Sequence, residues 1–296
     1  MAETIFDSVS SKSKIFISDG ATGTNLQQRG LTRGVPSENW VLEKPNEIIK
    51  LHKDFIDAGS DVILTCTFGA SPHRLSQNGL GDKVIEINEK AVDLAKKAIG
   101  EKNILIAASI GPLGNMLKPF GDMEIETAFN NYRDQASALI NTGIDFFLVE
   151  TQFDITEAKT AIEAIRSIGT LPIICSFSYD RGTRTMMGVS PTQTATELEK
   201  YELSALGINC GKSLDDNLES LKQLRQSTDL PIWFKPNAGL PKVDELGNPY
   251  YDVTPDEMGD LVEDWISEGA NFIGGCCGTS PDHLRSISNR IKHLKI

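Results

Sequence analysis

The sequence predicts a (β/α)8 barrel. Short apolar runs alternate with longer segments of helical spacing, the alternation recurs eight times in 296 residues, and no phosphate-type glycine turn follows the first run. The runs at 15–18, 62–65, 104–109, 146–150, 173–177, 206–209, 232–235 and 272–274 read as strands. Helical spacing fills 46–58, 82–99, 124–141, 155–168, 192–201, 215–226 and 256–268, and a last helix at 282–294 closes the chain. Within 215–226, Leu218, Leu221 and Leu224 recur near the 3.6-residue period of one buried face. Strands separated by helices imply right-handed crossovers and a parallel sheet. An open doubly wound sheet is the alternative, but it would place G-x-G-x-x-G after its first strand. Here that position holds Asp19-Gly20-Ala21-Thr22-Gly23-Thr24. No linker or repeat divides the chain, so 1–296 reads as a single catalytic barrel.

Composition narrows the function. A net charge of −12 with no Lys/Arg block argues against nucleic acid or an anionic membrane surface. No apolar run approaches the roughly 20 residues that cross a bilayer. The opening MAETIFDSVSSKSK lacks a signal peptide's basic start and apolar middle, which points to the cytoplasm. The chain has five cysteines, and clustered thiols in a reducing compartment bind metal more readily than they form bridges.

The active end of such a barrel lies where its strands end. Those positions hold Asp19, Thr65 to Phe68, Ser109 to Pro112, Glu150, Asn209-Cys210-Gly211, Lys235-Pro236-Asn237 and Cys276-Cys277. Cys175 and Cys66 read as small buried hydrophobes, and Cys210 alone would too. As a trio, Cys210, Cys276 and Cys277 end nearby strands and can converge on Zn2+. No histidine is placed to close the site: His283 lies on the last helix, His52 and His293 read as helix-surface residues, and His73 lies in a loop. An open coordination position points to catalysis. Three thiolates make zinc a weak Lewis acid, suited to binding a fourth thiol and presenting it as a thiolate. Gly274, Gly275 and Gly278 give two successive side chains room to face one ion. Reading the same glycines as a phosphate cradle would leave both cysteines without a purpose.

The segments GINCG (207–211) and GGCCGTSP (274–281) resemble the paired cysteine motifs of the zinc-dependent homocysteine S-methyltransferases. DGATGTNLQ (19–27), AGSDVILTCTF (58–68), ASIGPLG (108–114) and VETQFD (149–154) are similar to further family segments, so the resemblance covers almost the whole chain. It implies a barrel in which Cys210, Cys276 and Cys277 bind zinc, while Asp19, the backbone around Gly20 and Glu150 hold the amino-acid end of homocysteine. KPNAGLP (235–241) resembles the methionine synthase branch and makes Asn237 the candidate for zinc's open position before substrate arrives.

The methyl donor is left with two readings. LTRGVPSENW and TCTFGAS resemble the betaine branch, with Trp40 and Phe68 as aromatic partners for a small onium donor such as glycine betaine. That branch carries an aromatic at Gly69 and a tyrosine at Thr151, and this chain has neither. The other reading is a separate methylated corrinoid protein, since no folate- or cobalamin-binding module is recognised in the sequence. Trp40 also reads as a loop aromatic covering the barrel. Two rival functions stand beside these: a Schiff-base aldolase-like barrel using Lys235, and a non-catalytic zinc- or thiol-binding subunit.

Overall fold

The computed structural model describes residues 14–243 and 249–294. The barrel strands are β1 (Phe16–Ile17), β2 (Val62–Leu64), β3 (Leu105–Ile110), β4 (Phe146–Gln152), β5 (Ile173–Phe177), β6 (Ala205–Cys210), β7 (Ile232–Pro236) and β8 (Ala270–Ile273). All pair in parallel in the order β1-β8-β7-β6-β5-β4-β3-β2. A bridge between Ser18 and Val62 joins the two ends of that order. Beside it the Asp61 N–H donates to the Ile17 carbonyl at 2.7 Å, and the Ile17 N–H to Asp61 Oδ2 at 3.0 Å. The sheet therefore closes, which disposes of the open alternative.

Each predicted strand is present, with shifted ends. β4 continues through Thr151 to Gln152, and its register with β5 slips between Val149 and Gln152. Thr151 adopts φ +61, and Asn209 holds it there through its N–H at 2.8 Å and its hydroxyl at 2.7 Å. The segment expected as one helix at 256–268 is two, Pro255–Asp260 and Val262–Ser267, with the break soon after Gly259, a poor helix former. Short helices Thr22–Gln28, Glu38–Glu43 and Pro72–Ser76 were not evident from periodicity, because they are too brief to show one. A small antiparallel ribbon of Lys242–Val243 with Pro249–Tyr250 follows β7.

Several helix starts are written in the sequence as Ser-Pro or Thr-Pro. Ser71, Ser190 and Thr254 each cap a helix whose first residue is proline, accepting from the N–H three residues on at 3.2–3.3 Å. No helix among the described residues is long and apolar enough to cross a membrane.

Two-residue alternation along the strands gives the barrel interior two different halves. The lower half is apolar and plugged by aromatics: Phe16 and Trp233 each lie 5.4 Å from Phe272, and Phe146 meets Trp233 edge-on at 6.2 Å. Moving two residues up the strands replaces Phe16 by Ser18, Ala107 by Ser109, Leu148 by Glu150, Ile174 by Ser176 and Trp233 by Lys235. All of these polar residues are buried. The sequence thus builds a dry floor under a polar chamber.

Candidate active site

Cys210 ends β6 in the left-handed region, at φ +59, and Gly211 follows at φ +82. A non-glycine residue there is strained, so its neighbours must hold it. The Cys210 carbonyl accepts from Asn217 Nδ2 at 2.7 Å, and the Gly211 carbonyl accepts from Asn237 Nδ2 at 2.9 Å. A Cβ on Gly211 would lie 2.1 Å from Asn217 Oδ1, so any other residue would have to displace Asn217. The twist carries the Cys210 thiol to 2.9 Å from Cys276 Sγ and 4.0 Å from Cys277 Sγ.

Beyond β8 the chain is pinned at each step. The Gly275 N–H donates to the Asp19 carbonyl at 3.1 Å, the Cys276 N–H to the Pro236 carbonyl at 2.8 Å, and the Cys277 carbonyl accepts from Ala238 N–H at 2.9 Å. A side chain at Gly274 would strike the Asp19 carbonyl (2.7 Å), and one at Gly278 the Tyr251 ring (2.2 Å).

The three sulfurs lie within 4.8 Å of one another. Two of their spacings, 2.9 and 4.0 Å, bracket the edge of about 3.8 Å expected for sulfurs around a tetrahedral ion bound at about 2.3 Å. The donor set fits a thiophilic metal. Hydrogen bonds from Cys210 and Cys276 hold the Cys277 thiol well below its ordinary range. Those same bonds push Cys210 up. Asn237 sits one residue past β7 with its N–H on the Cys210 carbonyl at 3.4 Å, and its Oδ1 is buried without a partner among the described residues. An orphaned acceptor on the residue whose N–H meets the Cys210 carbonyl suits a cation ligand.

The thiols open onto a cavity of about 320 Å3 lined also by Gly20, Phe68, Ser109, Glu150, Thr151 and Lys235. Asp19 is buried and is not among the residues that line it. One carboxylate oxygen of Asp19 accepts from Lys235 Nζ at 2.7 Å and the other from the Leu64 N–H at 2.8 Å. Glu150 accepts from the Ser109 hydroxyl. Burial, helped by Cys276 and Asp19, pushes Glu150 up to about 7 against Lys235 and Ser109. For Lys235, burial pushes downward, but Asp19 and Glu150 outweigh it and the net shift is upward. A Schiff-base nucleophile needs the opposite, a neutral amine, so the aldolase reading fails on Lys235 itself.

The aromatic expectations divide. Phe68 lines the cavity and a neighbouring shallow one of about 300 Å3. Trp40 lines neither. It is buried in the helix Glu38–Glu43, and Lys44 Nζ covers its ring at 4.3 Å. Glu38, half a turn earlier, faces both cavities instead and accepts the Gly69 N–H at 2.6 Å. His52, expected at the surface, is buried on the helix Pro45–Ala58. Ser109 and Asn209 stand at predicted strand ends without an assigned role; Glu38 escaped sequence reasoning because its partner Gly69 lies 31 residues away, and Asn217 because it lies in a helix read only for its leucine face.

The family model described as homocysteine S-methyltransferase matches residues 16–291. The chain belongs to that family. It is therefore a methyltransferase enzyme, and the non-catalytic reading falls. The chain is 27% identical over 299 residues to the methionine synthase of Mycobacterium tuberculosis, covering 95% of this chain and 25% of that protein. Against the Mycobacterium leprae methionine synthase the identity is 28%, covering 93% and 24%. The chain thus spans about a quarter of the length of these relatives. The metallated form of the homocysteine methyltransferase MmuM from Escherichia coli superposes with a TM-score of 0.81 at 26% identity, covering 95% and 97% of the two chains. The apo form of MmuM gives 0.74 at 25% identity, covering the same shares.

Proposed function

We propose that this single barrel transfers a methyl group to the thiol of homocysteine, giving methionine, with Zn2+ held by Cys210, Cys276 and Cys277. The convergence of these three thiols on a buried amino-acid-sized cavity carries the reading. Zinc, when bound, supplies the charge that keeps a fourth thiol deprotonated near neutral pH. The chain's own groups do the rest. Glu150 pairs with the substrate ammonium, the Gly20 backbone meets the carboxylate end while Asp19, with both oxygens engaged, holds the wall behind it, and the floor of aromatic side chains excludes water below. Asn237, whose Oδ1 is buried without a hydrogen-bond partner among the described residues, would be the residue to hold the ion beside the three thiols before homocysteine binds. The thiol proton leaves to solvent, sulfur attacks the methyl carbon in line, and the donor's leaving group departs with the bonding electrons.

The donor is a small onium compound such as glycine betaine, or a methylated corrinoid carried by a separate protein. Phe68 is the one aromatic among the described cavity residues, and Gly69 and Thr151 add none. A single ring is a poor cage for an onium, which favours the corrinoid carrier. A cytoplasmic location suits three thiols that must stay reduced. The test is methionine formation by zinc-loaded protein from homocysteine and, separately, glycine betaine, dimethylsulfonio compounds, S-methylmethionine and methylcobalamin. No methionine from any donor would overturn the assignment.

A further inference from the structure

Lys235 takes no part in the function outlined above, yet it is the cation of the chamber. It stands on the inner face of β7 at 2% exposure and lines the same cavity as Glu150 and the cysteines. Its ammonium has three donors. Among the described residues it makes one hydrogen bond, to Asp19 Oδ1. The Trp233 ring, with its centroid 5.7 Å from Nζ, walls it from beneath. Two N–H groups of a buried ammonium therefore remain for whatever fills the cavity, and a buried charge without its full set of partners is costly.

Asp19 is differently placed. Both its oxygens are engaged, one by Lys235 and one by the Leu64 N–H, so it is spent on fixing the lysine and β2. Glu150 is engaged only by Ser109 among the described residues and keeps an oxygen for a ligand. The chamber thus offers one carboxylate and one ammonium, the complement of an amino-acid zwitterion.

We propose that Lys235 binds the α-carboxylate of homocysteine, with Asp19 acting as the residue that positions it and Glu150 taking the ammonium across the cavity. The charges then alternate: Glu150 carboxylate, substrate ammonium, substrate carboxylate, Lys235 ammonium, Asp19 carboxylate. This assignment rests on homocysteine being the substrate, and gives the amino-acid end a side-chain partner in addition to backbone around Gly20.

The test is calorimetric binding of homocysteine and of homocysteinamide, which keeps the thiol and the amine but has no carboxylate, to zinc-loaded protein without any donor. Wild type should prefer the acid by at least about 30-fold, as expected for a buried charge pair. Lys235→Gln should reduce that preference to within about threefold by weakening the acid alone, and Lys235→Arg should restore part of it. Where Lys235→Gln folds poorly, the wild-type arm can still overturn the proposal, and Lys235→Met, of similar length and without charge, carries the comparison. Equal binding of acid and amide by wild type, or equal weakening of both by Lys235→Gln, overturns the role of Lys235. Absence of any homocysteine binding by wild type overturns the substrate reading itself.

Discussion

The thiol end and the donor side of the cavity are built differently. Around Cys210, Cys276 and Cys277, carbonyls and amides are pinned by neighbouring strands, and three glycines stand where a Cβ would collide with the Asp19 carbonyl, Asn217 or Tyr251. On the donor side, Phe68 stands beside Gly69 and the shallow second cavity, and Trp40 has turned into the core. Rigid construction marks where atoms must be held in fixed geometry. The open side marks where something arrives from outside.

That contrast can be broken at the thiol end first. Cys276→Ala is expected to remove stoichiometric zinc and to reduce methionine formation to background. Metal analysis and product assay on the same sample would show it, and turnover by the metal-free variant would contradict the scheme. Glu150→Gln comes next. Losing the partner of the substrate ammonium should weaken homocysteine binding by about 30-fold or more. In wild type burial pushes the carboxyl up to about 7. It is neutral below that pH and cannot pair, so binding should strengthen as pH rises through about 7. Titrations from acid to alkaline pH should lose that step in Glu150→Gln.

Gly211→Ala probes the strained corner. With φ +82 and a Cβ placed 2.1 Å from Asn217 Oδ1, it should cost about 1–3 kcal/mol of stability and lower metal occupancy, both readable by denaturation and metal analysis. Away from the site, His52 sets a comparable but pH-dependent stability. Burial, opposed by Asp19, holds it down from 6.5 to about 4. The unfolded chain takes up the proton first, so stability is full above pH 6.5 and falls as pH drops toward 4. The loss at pH 4 reaches about 3 kcal/mol, and His52→Gln should flatten the curve in urea melts. The smallest effect is expected on the donor side: Trp40→Phe should change donor KM by less than about twofold, since Lys44 and not the cavity meets its ring.

What was legible follows from range. Strands showed themselves as apolar runs, and the thiols because adjacent cysteines among glycines have few other uses. The ion pair of Asp19 with Lys235 links residues 216 apart and leaves no local trace. The left-handed turn at Cys210 is imposed by Asn217 and Asn237, not by cysteine's own preference. Trp40 was misplaced for a related reason. An aromatic beside a predicted rim can face inward or outward by one helical step, and only the packing of Glu38–Glu43 decides which. His52 was misjudged because a polar residue on an amphipathic helix gives no sign that its neighbours bury it.

The claim on which the rest depends is that three protein thiols hold a metal whose fourth place is taken by homocysteine. X-ray absorption at the zinc edge tests it directly on zinc-loaded protein with and without homocysteine. The account predicts three sulfur neighbours at about 2.3 Å, rising to four when homocysteine is added. Fewer than three sulfurs, or a shell that homocysteine leaves unchanged, would contradict it.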